Sequence, residues 1–268
     1  MGLSWLTSQG RFFLLLSSFL VTSSGFAQSL NDASTAETEQ WRLQIMPYAW
    51  LPSVQSQLKP LASVPYTAQV KQPFHKVFKN LRLAAFVNAS LRYNRFVLLT
   101  DYSYASLTQS GAIDLPLGLA TVPVKAKLRQ SIFSFSAGYT FYPHEHHTLD
   151  VLAGLRTWHI KADIQTGLPA ALPIPNQYGS STRITDPIIG VRLFSNWSER
   201  WSTVLHADLD VAGQSHHTWQ VQAAVSYRLT TNWYGSVGYR YLKLDYQRHN
   251  KRLDLHMRGS ILGLSYVF

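Results

Sequence analysis

The last seventeen residues, Arg252 to Phe268, read R-L-D-L-H-M-R-G-S-I-L-G-L-S-Y-V-F and alternate with a period of two. Counting back from the end, Phe268, Tyr266, Leu264 and Leu262 share one face, while Val267, Ser265, Gly263, Ile261 and Gly259 share the other. The first face is wholly apolar and the second mostly small, so one side wants greasy surroundings and the other a crowded interior. As the free edge of a soluble sheet, such a strand would invite aggregation. It constrains the chain to a sheet with no exposed edge.

Hydropathy narrows this further. Beyond residue 27 there is no run of eighteen apolar residues, which excludes a protein that crosses a membrane with helices. In lipid, a backbone that is not helical must be paired in a closed barrel. Charged residues make up only 14% of the chain and aromatics 13%, as expected where apolar surface faces lipid between aromatic girdles. The terminal aromatic with alternating residues before it resembles the closing strand of bacterial outer-membrane barrels. In that class it pairs with the first strand and ends at the periplasmic rim.

The expected fold is therefore all-β: a closed antiparallel transmembrane β-barrel of about ten strands, with eight or twelve open alternatives. Residues 1–27 read as a signal peptide, with Arg11 before the apolar run Phe12 to Val21 and Gly25 and Ala27 ahead of a cleavage site. Residues 28–40 are a polar, acidic periplasmic lead-in, and 41–268 form the barrel. Phe74 to Leu81 carries Phe74, Val77, Phe78 and Leu81 at helical spacing, which predicts a short helix over 74–81 that caps or plugs the barrel. Gln109 to Val122 and Thr166 to Ser181 are expected as long loops. Long and short connections largely alternate, as extracellular loops and periplasmic turns do.

Removing Arg11 leaves 23 Lys and Arg against 14 Asp and Glu, about +9 on the mature chain. The cations are spread singly through alternating strands, which argues against nucleic acid as a partner. Phosphates of the outer leaflet suit them better. The absence of cysteine fits an exported protein without disulfide staples.

The segments D-P-I-I-G-V-R (Asp186 to Arg192), H-A-D-L-D after Trp201, G-Y-R-Y-L-K-L-D-Y, and P-Y-A-W-L-P at Pro47 to Pro52 resemble a widespread Gram-negative family of outer-membrane β-barrel proteins. Most members have no assigned function. The resemblance covers nearly all of residues 41–268 and implies the fold and the outer membrane, with little about activity.

Three constellations could carry chemistry. Parity places Arg42, Arg82, Arg92, Arg156, Arg192, Arg228 and Arg240 in the lumen with Asp101, Asp150, Asp186, Asp208 and Asp210. Charges in a narrow interior must pair, so this set reads as a structural network, with Asp186 and Asp208 as the expected partners of Arg192 and Arg240; a slightly basic channel or anion site is the alternative. His206, Asp208 and Asp210 alternate on one strand, and H-E-H-H at His144 to His147 occupies a turn. Neither is tied to a nucleophile or a further metal ligand, so we expect no cofactor, no metal and no enzyme. Lys125, Lys127 and Arg129, with Arg248, Lys251 and Arg252, are placed near the extracellular rim, where they could hold lipopolysaccharide phosphates. The expected role is structural or surface-interacting, with outer-membrane lipid and, through the Phe268 strand, the barrel assembly machinery as partners. A small pore and a barrel-embedded hydrolase of lipid or peptide are the rivals.

Overall fold

The computed structural model describes residues 41–59, 68–114, 121–167, 177–213, 215, 217–248 and 251–268. The signal peptide and lead-in expected over 1–40 lie outside the described residues. The alternating segments form β1 (Trp41–Lys59), β2 (Ala68–Gln72), β3 (Leu81–Tyr93), β4 (Phe96–Asp114), β5 (Thr121–Pro143), β6 (His147–Thr166), β7 (Gln177–Asn196), β8 (Trp201–Asp210), β9 (His217–Arg228), β10 (Trp233–Arg248) and β11 (Lys251–Val267). One helix, α1 (Phe74–Asn80), lies between β2 and β3. Each strand from β3 to β11 pairs antiparallel with the next, and β11 pairs with β1. Ten strands thus close the ring, with β2 added beside the outer part of β1. At seven residues, α1 is too short to be stable alone. It is held by burial of Val77 and by packing on β1 and β4.

The two loops expected to be long are shorter than their composition suggests. Gln109 to Asp114 pairs with Ala126 back to Thr121, and Ile164 and Gln165 pair with Tyr178 and Gln177. Gly and Pro weaken a strand but do not stop a hairpin whose ladder is already running. As a result β5 has 23 residues, whereas about 9–11 suffice to cross a bilayer. The hairpins therefore continue well beyond an apolar band. At the opposite end the turns are tight, and Asn94 adopts φ 52° between β3 and β4, a left-handed conformation that Asn tolerates better than most residues.

The outer wall between the two ends is apolar. Phe133, Phe135, Val151, Leu155, Val191, Leu205, Val225, Val237, Leu262 and Leu264 all point outward and are exposed. Around the short-turn end runs an aromatic girdle of adjacent pairs: Trp41 on Tyr93 with centroids 4.3 Å apart, Trp201 on Tyr227 at 4.8 Å, and Trp233 on Tyr266 at 5.0 Å. Inside, a cluster of Trp50, Ile132, Trp158, Ile184, Leu242, Leu244, Leu255 and Met257 fills the half of the lumen nearer the long hairpins. The alternation of the sequence thus becomes two apolar surfaces in that half, one toward lipid and one toward the axis.

One line of the wall is incomplete. β1 pairs with β3 only from Trp41 to Pro47 and with β2 only from Val54 to Leu58. Between them, Tyr48 to Ser53 has no ladder partner on that side among the described residues. Pro47, which has no N–H to donate, marks where the β3 ladder ends.

Candidate functional site

The lumen has two storeys separated by a belt of charge. Arg240 on β10 donates from Nη1 to Asp101 Oδ1 (3.1 Å) and to the Tyr48 hydroxyl (3.0 Å), and from Nε to Gln220 Oε1 (2.9 Å). Gln220 donates in turn to Asp208 Oδ2 (3.0 Å), which also accepts from Arg156 Nη2 (2.8 Å). Arg156 Nε reaches Ser134 Oγ at 3.0 Å, and Tyr48 donates to Asp101 Oδ2 at 2.9 Å. The Arg240 guanidinium lies 4.9 Å from the Trp50 ring centroid, a cation–π contact on the side of the apolar cluster. Two Arg and two Asp therefore balance, tied across the interior from β1 and β4 to β6, β8 and β10. Arg156, Arg240 and Asp208 are all buried, a placement that requires such pairing.

These partners differ from those expected. Arg240 pairs with Asp101, Arg156 with Asp208, and Asp186 accepts from the Ser215 amide (2.9 Å) at the β8–β9 connection. Asp210 takes the Thr218 amide of the same connection. Both upper carboxylates thus hold backbone N–H groups. Parity along a strand places a charge in the lumen, but a long guanidinium crosses the interior, so its partner need not sit on a neighbouring strand.

Below the belt, toward the short turns, Asp150 is gripped by Arg92 through two contacts, 2.7 and 3.1 Å, and by the Thr140 hydroxyl at 2.8 Å. Arg192 neighbours Asp150 on β6 and His206 on β8. Arg42 and Arg192 line a cavity of about 110 Å³ whose roof is the belt. Arg228 sits at the short-turn rim, 3.9 Å from Glu199. Arg82 lies at an irregularity between Leu81 and Leu83, outside the β3–β4 ladder, and is exposed.

His206 Nε2 lies 2.8 Å from Asp208 Oδ2, so these two meet, but in mid-lumen beneath the apolar cluster and away from the rim. Asp210 is engaged higher up. In the exposed turn at His144 to His147, His144 stacks between Tyr142 and His147 with centroids at 5.9 and 6.2 Å. Among the described residues there is no group of three or more His, Cys, Asp or Glu placed to hold a metal ion.

The outer wall of the extended hairpins carries a second cluster. Lys125, Lys127 and Arg129 follow Phe133 outward along β5, and across the ladder Arg129 faces Lys161 while His159 faces Arg183. Arg129 is salt-bridged to Asp163 at 2.5 Å. Lys161, Arg183 and His159 were missed from the sequence, although the outward parity of β6 and β7 would have found them. Arg248 and Lys251 pair at the end of the β10–β11 hairpin, beside Arg252.

No protein-family model and no curated protein matches the chain. Among solved structures it is similar to the outer-membrane protease OmpT of Escherichia coli, at 10% identity over 88% of this chain and 100% of that one, with a TM-score of 0.56. It also aligns with the translocator domain of the autotransporter NalP from Neisseria meningitidis (12% identity, 87% and 90% covered, TM-score 0.43). A third match is Ail, the attachment invasion locus protein of Yersinia pestis (12%, 86% and 100%, 0.33). At this identity the likeness concerns fold alone: the chain has the architecture of a Gram-negative outer-membrane β-barrel.

Proposed function

We propose that this protein is a non-conducting, non-enzymatic barrel of a Gram-negative outer membrane whose filled interior rigidifies it and whose outer collar contacts lipid phosphates. The observation that carries this reading is the upper storey of the lumen. Trp158, Ile184, Leu242 and Leu244, each 0% exposed, meet across the axis directly above the neutral belt. A water-filled path for ions would need those side chains replaced by polar ones. The collar of Lys125, Lys127, Arg129, Lys161 and Arg183 stands just beyond the apolar band, at the level where lipopolysaccharide phosphates would meet the wall. In this reading residues 1–27 direct export, the Phe268 strand is read by the assembly machinery, and the chain belongs with the outer-membrane barrels of unassigned function that its motifs resemble. A hydrolase acting at the long-hairpin rim would need His206 and Asp208 within reach of substrate there, and the apolar cluster covers them on that side.

Planar-bilayer recording tests it. Purified, heat-modifiable barrel should give no conductance steps, and regular single-channel openings would replace this reading with the pore.

A further inference from the structure

We infer that the lower storey of the lumen is a binding site for a phosphate-class oxyanion, free or carried on a lipid headgroup, which enters from the short-turn mouth and is held by Arg42 and Arg192. This goes beyond the structural role just given to the interior. It begins with an imbalance of charge. The belt is neutral, with Arg156 and Arg240 against Asp101 and Asp208, but below it stand Arg42, Arg92 and Arg192 with Asp150 as their one acid among the described residues. Both oxygens of Asp150 are taken by Arg92, and one of them by Thr140 as well. Arg192 is attracted by Asp150 and repelled by Arg92 and Arg42, and neither its guanidinium nor that of Arg42 makes a hydrogen bond among the described residues. Clustered like charges in a half-enclosed space are costly, and an anion with two charges would offset them.

The space is also suited to such a guest. The cavity holds about 110 Å³, and a water needs only about 10–15 Å³ in this kind of measure, so a hydrated oxyanion has room. Besides the two guanidiniums it is lined by Gln44, Gln222, Ser226, Ser236 and Tyr234, which supply neutral donors around the charge. Asp101 and Asp208 also face it, at the roof, where Arg240 and Arg156 already neutralise them. Arg was a better choice than Lys for this task, because its planar fork matches two phosphate oxygens at once. Tyr234, just after the short β9–β10 turn, and Val267, the last residue of β11, lie at the short-turn end, so the mouth opens on the side of the aromatic girdle.

The test uses the full-length folded barrel in uncharged detergent at low ionic strength. Inorganic phosphate and a short-chain phosphatidylglycerol are titrated separately, with binding read by calorimetry and by the shift in melting temperature. Saturation by phosphate assigns the free ion and saturation by the lipid alone assigns the headgroup, and either supports the site. Arg192→Gln and Arg42→Gln should each weaken binding by roughly tenfold or more, and having two variants guards against one that fails to fold. Arg200→Gln, an exposed cation on a short turn, should bind as the wild type does. The inference is overturned if neither probe saturates the wild type, or if both lumen variants, shown folded by heat-modifiable mobility, bind with unchanged affinity.

Discussion

The two storeys of the lumen are built by the same ten strands and solve opposite problems. Above the belt the inward residues are Trp158, Ile132, Ile184, Leu242, Leu244 and Met257, and the interior is held by dispersion and by exclusion of water. Below it Arg42, Gln44, Arg192, Gln222 and Ser226 stand among apolar residues such as Met46, Leu99, Phe194 and Val204, and the interior leaves a cavity with room for water. The belt is where these regimes meet, and its charges are paired with one another, Arg240 with Asp101 and Arg156 with Asp208, because charges next to a dry zone have no water to fall back on. An Arg in this barrel is therefore not one kind of residue. Its energetic weight depends on which storey it occupies.

Substitutions can break or sharpen that contrast, read by reversible urea unfolding in lipid vesicles. The largest effect should come from Trp158→Ala, which removes a fully buried indole from the dry storey and should cost about 3–5 kcal/mol. Arg156→Leu follows: it strands Asp208 beside the apolar cluster and should cost about 3 kcal/mol, and the double variant Arg156→Leu with Asp208→Leu should recover most of it. If the double variant were no better than the single one, the belt would owe its stability to something other than charge pairing. The smallest effect should be that of Arg192→Gln, under about 1 kcal/mol in either direction in phosphate-free buffer, since it removes a cation without a bonded partner from a cavity that water can enter. An Arg192→Gln loss as large as that of Arg156→Leu would erase the distinction between the storeys.

Much of this architecture was legible in the alternation itself. Leu262 and Leu264 outward with Ile261 and Ser265 inward, the lumen places of Arg156 and Arg240, the short helix after β2 and a ring of about ten strands all follow from period and parity. What was not legible has physical reasons. The Gln109 to Asp114 stretch looks like loop by composition yet pairs, because ladder hydrogen bonds depend on backbone register more than on side chains. Arg82 follows the alternation in the sequence but falls outside the β3–β4 ladder, since one irregularity is enough to interrupt a register. The bond from Arg240 to Asp101 joins residues 139 positions apart across the interior, and no local pattern encodes the width of a lumen. The collar was half visible: Lys125, Lys127 and Arg129 stand out on one strand, while Lys161 and Arg183 gain meaning only once β6 and β7 lie beside them.

The interrupted line between β1 and β3 bears on how the ring comes together. β1 is registered with β11 along most of its length, from Gln44 to Lys59, but with β3 only from Trp41 to Pro47. The strand that follows β1 in the ring by sequence is thus its weaker neighbour, and the strand most distant in sequence is the stronger. A pairing of such high sequence separation carries the largest loop-closure entropy and is slow to form. Assembly should therefore run from the local hairpins β3 to β11 toward a late capture of β1 by the C-terminal strand, with the Tyr48 to Ser53 stretch as the last piece of wall to lose its exchange with solvent deuterium and the first to regain it.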